Sequence, residues 1–261
     1  MAPGGMMPRW TGLTSKSTWA MLVTFTDFGC HGPYLGQMMA VLRHLAPGVE
    51  VIDLLNDAPA TDPRHSAYLL AALARWWPSG TVFLGVVDPG VGGARKAVVL
   101  EADGKWLVGP DNGLFNAVAL HSDECAWYEI LWRPERLSSS FHGRDLFAPV
   151  AAAIANGKAK GLFVPWDGPE LSQWPLDLAE VVYIDHYGNA LTGLRAQDGF
   201  KGRVMQAGDQ QIPPATTFCD VTEGEAFWYV NSMGLVEIAV NRGSAARGLG
   251  LAIGQEVRWC R

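Results

Sequence analysis

The segment VVDPGVGGAR, residues 86–95, places an acid and an arginine on either side of a turn. An apolar run stops at Asp88, the chain passes through Pro89 and three glycines, and Arg95 follows. A carboxylate can accept a proton and a guanidinium can stabilise negative charge, so the pair suits proton transfer at a reacting centre. Asp, Pro and Gly are also the usual residues of tight turns, and that simpler interpretation stays open here.

Polar residues also follow apolar runs elsewhere in the chain. Asp27 ends VTFTDFG, and Asp111 and Asn112 follow LVGP. Ligands of open α/β sheets bind at the carboxyl ends of the strands, so Asp27, Asp88 and Asp111 can share one crevice. Turn formation, or an N-cap by Asp111 or Asn112, is the structural alternative.

One histidine stands out from its surroundings. His142 lies in SSSFHGRDLFAPV, between aromatic residues and an apolar helix whose first turn can hold Asp145. The favourable interaction of an acid with the helix dipole is enough to explain Asp145 at that position. The imidazole has no such helical role, so His142 is either a buried structural residue or part of a reacting centre.

Known local motifs narrow the chemistry. TDFGCHGPYLG fits neither a P-loop nor a dinucleotide fingerprint, and G-x-S-x-G is absent. No H-x-x-x-H or H-E-x-x-H spacing indicates a metal, so no metal ligand is assigned. A metal-dependent hydrolase stays as a lesser alternative, with candidate ligands Asp27, Asp88, His142, Asp145, Asp185 and His186.

Composition limits the partners and the compartment. The formal net charge of −6 offers no basic face for nucleic acid or anionic lipid. No stretch approaches the roughly 20 apolar residues of a membrane span. Four cysteines without paired spacing favour reduced thiols, and therefore a cytoplasmic location. The start of the chain does not resemble a signal peptide.

Hydrophobic periodicity predicts an α/β fold with two domains. Strands and helices alternate from residue 20, and KAVVLEA and KWLVG form a predicted hairpin, which makes the central sheet mixed. Short strand-like runs follow a proline-rich stretch and predict a smaller C-terminal β-barrel. The predicted boundaries are a loose extension over 1–19, the α/β domain over 20–164, a linker over 165–178 and the barrel over 179–261.

Seven ordered motifs resemble one protein family, the S-adenosylmethionine hydroxide adenosyltransferases, which are relatives of the fluorinase and chlorinase enzymes. The resemblance runs from about residue 20 to the C-terminus. The motifs are TFTDFG, PYLGQM, VVDPGVGGAR, VGPDNGLF, FHGRDLFAPVAA, YIDHYGNALT and NSMGLVEIAVNRGSAA.

This resemblance implies a reaction and an assembly. The family's reaction is attack by water or hydroxide on the ribose 5′ carbon of S-adenosylmethionine, which gives adenosine and L-methionine without a cofactor. The family is trimeric, with the substrate between the N-terminal domain of one subunit and the C-terminal domain of the next. A homotrimer acting on a small molecule is therefore expected, and a non-catalytic binder of adenosine or S-adenosylmethionine is the main alternative.

The resemblance also implies roles for individual residues. Asp88, Arg95 and His142 match the catalytic group, in which a carboxylate or an imidazole accepts the proton and the guanidinium stabilises negative charge. The residues expected to bind substrate are Asp27 at the ribose hydroxyls, Asp185, Asn189 and Ser232 at the methionine portion, Tyr187 at the adenine, and Asn112 of the VGPDNGLF motif.

Four positions depart from relatives. The halogenating enzymes have Tyr in place of Asp88 and Ser in place of Gly143, and an anionic Asp88 would repel a halide, so halogenase activity is not expected. Gly32 replaces a common Asp. Met233 stands where the halogenating relatives have Arg, which changes the expected contacts with adenine and carboxylate.

Overall fold

The computed structural model of the protein describes residues 20–260, so the predicted extension over 1–19 lies outside the described residues. Within that range, no helix combines the length and the apolar character needed to cross a bilayer. The first part of the chain contains β1 (Met21–Thr26), α1 (Tyr34–Leu45), β2 (Glu50–Leu55), α2 (Pro63–Ala74), β3 (Val82–Val86), β4 (Ala97–Ala102), β5 (Lys105–Pro110), α3 (Asn116–His121), β6 (Cys125–Ile130), α4 (Ala148–Ala155) and β7 (Phe163–Trp166).

These seven strands form one mixed sheet in the order β2-β1-β3-β5-β4-β6-β7. The pairs β1–β2, β1–β3 and β3–β5 are parallel, and the remaining pairs are antiparallel. The predicted hairpin is confirmed as β4–β5. Asp103 and Gly104 at its tip have φ values of 48° and 73°, the positive angles of a tight hairpin turn. The prediction of a mixed sheet is therefore confirmed.

Helices cover both faces of this sheet, and two apolar clusters fill the space beneath them. One cluster includes Phe25, Phe83 and residues of α2 and α3. The other includes Leu22, Leu84 and residues of α1 and α4. Because alternate strand residues point to opposite faces, a sheet covered twice needs apolar residues at nearly every position. β3, buried throughout, meets that need.

Antiparallel strands make up the remainder of the chain. The elements are β8 (Leu178–Ile184), β9 (Ala190–Arg195), β10 (Met205–Ala207), β11 (Gln210–Ile212), β12 (Ala226–Val230), β13 (Leu235–Val240), α5 (Ala245–Leu249) and β14 (Val257–Trp259). They form a four-stranded sheet, β12-β13-β9-β8, and a three-stranded sheet, β11-β10-β14, around a shared core. Isolated bridges link the sheets, but no sheet closes within residues 20–260, so the predicted barrel is not confirmed.

The two parts of the chain pack directly against each other. Leu178, Val182 and Leu191 of the C-terminal sheet belong to the same apolar cluster as α2. His65 of α2 bridges the two parts, with Nε2 2.8 Å from Glu180 of β8. β7 still belongs to the large sheet, so the segment 165–178 starts on its edge strand and ends at the first residue of β8.

Candidate active site

The loop after β3 carries Asp88 and Arg95 at the carboxyl edge of the large sheet. Gly92 has a φ of 79°, a left-handed conformation that side chains rarely adopt, and an added Cβ would clash with the carbonyl oxygen of Ser139. The glycine therefore permits both the turn and its close packing on the segment that precedes His142. The residues that form this turn therefore also place Asp88 and Arg95.

Asp88 and Arg95 form a buried, multiply bonded ion pair. Arg95 Nε donates to Asp88 Oδ1 at 2.8 Å and to Oδ2 at 3.0 Å, and Nη2 also donates to Oδ2. The side chains are 4 % and 11 % exposed, respectively. The guanidinium lies 5.3 Å from the centre of the Phe147 ring. Three charged hydrogen bonds and one aromatic face thus fix the guanidinium in a single orientation.

His142 completes the group from a distant segment. Arg95 Nη2 lies 3.2 Å from His142 Nδ1, and a guanidinium can only donate, so Nδ1 accepts and the ring hydrogen sits on Nε2. Burial, and then the positive charge of Arg95, lower the pKa of His142. The imidazole is therefore neutral at pH 7. A π-helical turn over Gly143–Phe147 follows and leads into α4.

Asp88 and His142 line a small cavity of about 100 Å³ together with Asp27. Thr61 holds Asp27 by donating its backbone N–H to Oδ2 at 2.9 Å. Burial raises the pKa of Asp27, and the charge of Asp88 adds to that rise. Phe28 and Phe141 also line this cavity. The resulting pocket holds two carboxylates, one of them neutralised by an arginine, between aromatic walls.

Asn112 lies outside the lining of this cavity. Its Nδ2 donates to the carbonyl of Val87 at 2.8 Å, and its Oδ1 accepts from Leu114 N at 3.3 Å. These bonds fix the backbone one residue before Asp88. Asn112 does not cap α3 either, since that helix starts at Asn116. Its predicted contact with substrate stays a prediction.

A second and much larger cavity, of about 950 Å³, contains the other predicted substrate-binding residues. Asp185, Tyr187, Asn189 and Ser232 all line it. Asp185 Oδ1 accepts the N–H groups of Tyr187 at 2.9 Å and Asn189 at 2.8 Å, and Asn189 Nδ2 donates to Oδ2 at 3.2 Å. The DHYGN turn is thus organised around the carboxylate of Asp185. The ring of Tyr187 is 75 % exposed.

Sequence reasoning missed several residues of both cavities. Glu237 lies in the apolar run LVEIAV, and its side chain lines the large cavity beside Tyr229 and Asn231. A carboxylate in a fully buried strand was the available signal, because acids are rarely buried without a reason. Thr61 of the small cavity acts through its backbone N–H, which its side chain could not have revealed.

The two cavities share no lining residue. The structure brings the predicted residues together in two groups. One group is Asp27, Asp88, Arg95 and His142, and the other is Asp185, Tyr187, Asn189 and Ser232. No group of three or more His, Cys, Asp or Glu side chains with metal-site geometry occurs between residues 20 and 260. Of the ligands suggested for a metal-dependent hydrolase, three line the small cavity and Asp185 lines the large one, whereas Asp145 and His186 line neither.

Comparison with known proteins places this arrangement in a family. Residues 22–162 match the N-terminal domain of the SAM hydroxide adenosyltransferases, and residues 179–258 match their C-terminal domain. The chain belongs to this family. A relative from Thermus thermophilus named (R)-S-adenosyl-L-methionine hydrolase is 42% identical over 255 residues, covering 89% of this chain and 96% of the relative.

A solved structure has the same fold. An uncharacterised conserved protein from Thermotoga maritima is 31% identical and matches with a TM-score of 0.83, over 92% of this chain and all of that one. A fluorinase from Nocardia brasiliensis is more distant, at 24% identity over 94% of this chain and 98% of the fluorinase. The chain is therefore more similar in sequence to the relatives named hydrolase than to those named fluorinase.

The positions that depart from the halogenating relatives are now placed. Asp88 is the ion-paired carboxylate of the small cavity. Gly143 lines the same cavity, and a Cβ added there would lie 3.5 Å from Met38 Sδ and from both Val86 methyls, which is ordinary contact. Met233 lines the large cavity. Two of the departing positions, Asp88 and Gly143, therefore line the small cavity, and Met233 lines the large one.

Proposed function

We propose that this chain hydrolyses S-adenosylmethionine to adenosine and L-methionine by attack of water on the ribose 5′ carbon. The observation that carries the proposal is that Asp88 and His142 line a small cavity together with Asp27 while Arg95 contacts both of them. The names of the relatives support it, and they specify the (R) sulfonium epimer.

The reaction is balanced without an added cofactor. A bond forms between the water oxygen and the 5′ carbon while the bond from that carbon to sulfur breaks. The sulfonium takes the electron pair and leaves as the neutral thioether of methionine, so no acid is needed at the leaving group. The protein has to orient the water, accept its proton and exclude other water. No metal is assigned a part in these steps.

Asp88 is the group best placed to accept the proton. His142 Nδ1 already accepts from Arg95, so the neutral ring has only its Nε2 hydrogen to offer, and it orients the water by donating to its oxygen. Arg95 holds the carboxylate and stabilises negative charge as the water loses its proton. The sequence allowed either a carboxylate or an imidazole as the base, and the contact of His142 Nδ1 with Arg95 favours the carboxylate.

The remaining contacts follow the family motifs. Asp27 receives the two ribose hydroxyls, as paired acceptors suit a vicinal diol. Asp185 takes the ammonium of the methionine portion, with Asn189 and Ser232 beside it, and Tyr187 contacts the adenine. All four of these residues line the large cavity. Its volume of about 950 Å³ is in the range of small-molecule sites.

We further infer a homotrimer whose substrate site is shared between subunits. The separation of the predicted residues into two cavities without a common lining residue supports it, since each half needs a partner. Co-expression of the Asp88→Asn and Asp185→Ala proteins, which lets their subunits assemble into mixed trimers, tests the idea. In an equal mixture about a quarter of shared sites regain both halves. No recovery of activity would contradict a shared site.

A product assay tests the activity itself. Purified protein incubated with each sulfonium epimer is expected to release adenosine and methionine in equal amounts, and Asp88→Asn is expected to abolish release while keeping the fold. Tight binding without product would instead favour the non-catalytic binder. A cytoplasmic location forms part of the proposal, supported by the four cysteines, none of which is paired in the described residues.

A further inference from the structure

The wall of the large cavity includes a buried glutamate that the steps above do not use. Glu237 of β13 is 4 % exposed and lines the cavity. Tyr229 Oη donates to its Oε1 at 2.6 Å, and Asn231 Nδ2 donates to its Oε2 at 2.8 Å. Both oxygens thus accept from neutral donors. An ionised carboxylate, which has acceptors only, satisfies both bonds.

The same network shapes the neighbouring turn. Asn231 Oδ1 accepts the N–H of Met233 at 2.9 Å and that of Leu235 at 3.0 Å while its Nδ2 holds Glu237. Glu237 is therefore tied to the turn that carries Ser232. Its position is fixed by strand pairing and by two side chains, so the charge cannot turn away from the cavity.

Neither carboxylate of the large cavity has a cationic partner. Within residues 20–260, no basic nitrogen lies within 4.0 Å of Glu237 or Asp185. Two arginines line the same cavity: Arg242 pairs with Glu223 at 3.0 Å, and Arg247 lies more than 4.0 Å from both carboxylates. Burial raises the pKa of Glu237, and the negative charge of Asp185 adds to that rise. Since uncompensated buried charge is costly, this cavity favours a positively charged ligand.

The substrate of the proposed function carries two positive charges, on its ammonium and on its sulfonium. Asp185 is already assigned to the ammonium. We propose that Glu237 supplies the negative charge that selects the sulfonium over a neutral thioether, an inference that rests on the proposed function. The reaction removes that positive charge from sulfur. Glu237 therefore favours binding of the substrate and loses its attraction for the methionine product, which helps the product to leave.

Loss of the Glu237 charge should affect the affinity for substrate and the turnover differently. A carboxylate near the sulfonium stabilises the bound substrate more than the transition state, in which the positive charge is already fading. Removing the charge should therefore raise KM without lowering kcat. A residue that only maintained the fold would lower kcat and stability together.

Calorimetric titration with three ligands tests the proposal by comparing glutamine with glutamate at position 237, in protein that also carries Asp88→Asn so that no substrate is consumed. The ligands are S-adenosylmethionine, S-adenosylhomocysteine, which has the neutral thioether, and adenosine. We expect affinity for S-adenosylmethionine to fall about tenfold, as for one unit charge acting across a partly buried site. Affinity for the other two should change less than about twofold by the same reasoning. A parallel loss for both sulfur ligands would assign Glu237 to the ammonium and overturn the proposal, as would no loss.

Three controls keep the result interpretable. Glu101→Gln is the matched variant, because Glu101 also accepts from a tyrosine, Tyr128 Oη at 3.3 Å, but lines neither cavity. Glu237→Asp keeps the charge and should keep the preference for the sulfonium. If Glu237→Gln does not fold, the Asp88→Asn protein with Glu237 intact decides: it must bind S-adenosylmethionine about tenfold more tightly than the thioether, and a ratio near one would contradict the proposal.

The two proposals fail in different ways. Protein that binds S-adenosylmethionine but releases no adenosine would refute the proposed hydrolysis. Protein that hydrolyses it but shows the same ligand preference with and without the Glu237 charge would refute only the charge selection.

Discussion

The two cavities treat their carboxylates in opposite ways. In the small cavity Asp88 is bonded to Arg95, and that guanidinium also reaches His142. In the large cavity Asp185 and Glu237 are bonded only to neutral donors. A carboxylate held by an arginine keeps a fixed geometry for a reacting water, whereas an uncompensated one attracts a cation. This difference supports the proposal that the reacting water binds in the first cavity and that the second cavity selects the substrate.

After the loss of Asp88 itself, removal of the Arg95 guanidinium should have the largest effect on turnover. Arg95→Ala leaves Asp88 buried without a partner and removes the donor at His142 Nδ1, so we expect turnover to fall by about 10²- to 10³-fold, in the range for loss of a charge-stabilising donor. Steady-state kinetics, with melting temperature as a check, measures this. Arg195→Ala breaks a comparable pair with Asp177 that lines neither cavity. Equal losses of turnover in the two variants would contradict a special role of the small cavity in the chemistry.

Removal of the Asp185 charge from the large cavity should change the affinity for substrate rather than the turnover. Asp185→Asn keeps the shape of the turn but removes the charge assigned to the ammonium, so KM should rise about tenfold while kcat changes little. A fall in kcat as large as that of Arg95→Ala, with KM unchanged, would place Asp185 in the chemical step and contradict the division.

The protonation of His142 provides a test by titration. Burial and Arg95 lower its pKa, so the ring stays neutral as the pH falls through the usual imidazole range and becomes charged only below it. Turnover should therefore be lost only in more acidic solution. NMR titration of the ring measures the pKa directly, and Arg95→Gln should raise it. A pKa above the ordinary value in the native protein would refute the assigned tautomer and its role.

Gly143, which lines the small cavity, and Gly92, in the loop after β3, should respond differently to an added methyl. Gly143→Ala meets Met38 and Val86 at ordinary distances, so turnover should change less than a few-fold. Gly92→Ala has a positive φ and a clash with the Ser139 carbonyl, so it should lower both stability and turnover. Thermal melting and steady-state rates compare the two. Equal effects would mean that the loop after β3 does not set the geometry.

The sequence predicted the elements of this fold better than their closure. The predicted hairpin indicated the mixed sheet. Acids at the strand ends predicted a shared crevice, in which Asp27 and Asp88 do lie together, whereas Asp111 lines neither cavity. Closure of the C-terminal strands depends on long-range pairing, which local periodicity does not encode. Glu237 was missed because one acid in an apolar run looks like a surface position. Thr61 was missed because its contribution is a backbone N–H.

The source of the new oxygen atom tests the central claim most directly. Hydrolysis in water enriched in ¹⁸O should place one labelled oxygen in the 5′ hydroxyl of adenosine and none in methionine, and Asp88→Asn should prevent the labelling. Unlabelled adenosine, or labelled oxygen in a product of the amino acid portion, would show that water does not attack the 5′ carbon and would contradict the account.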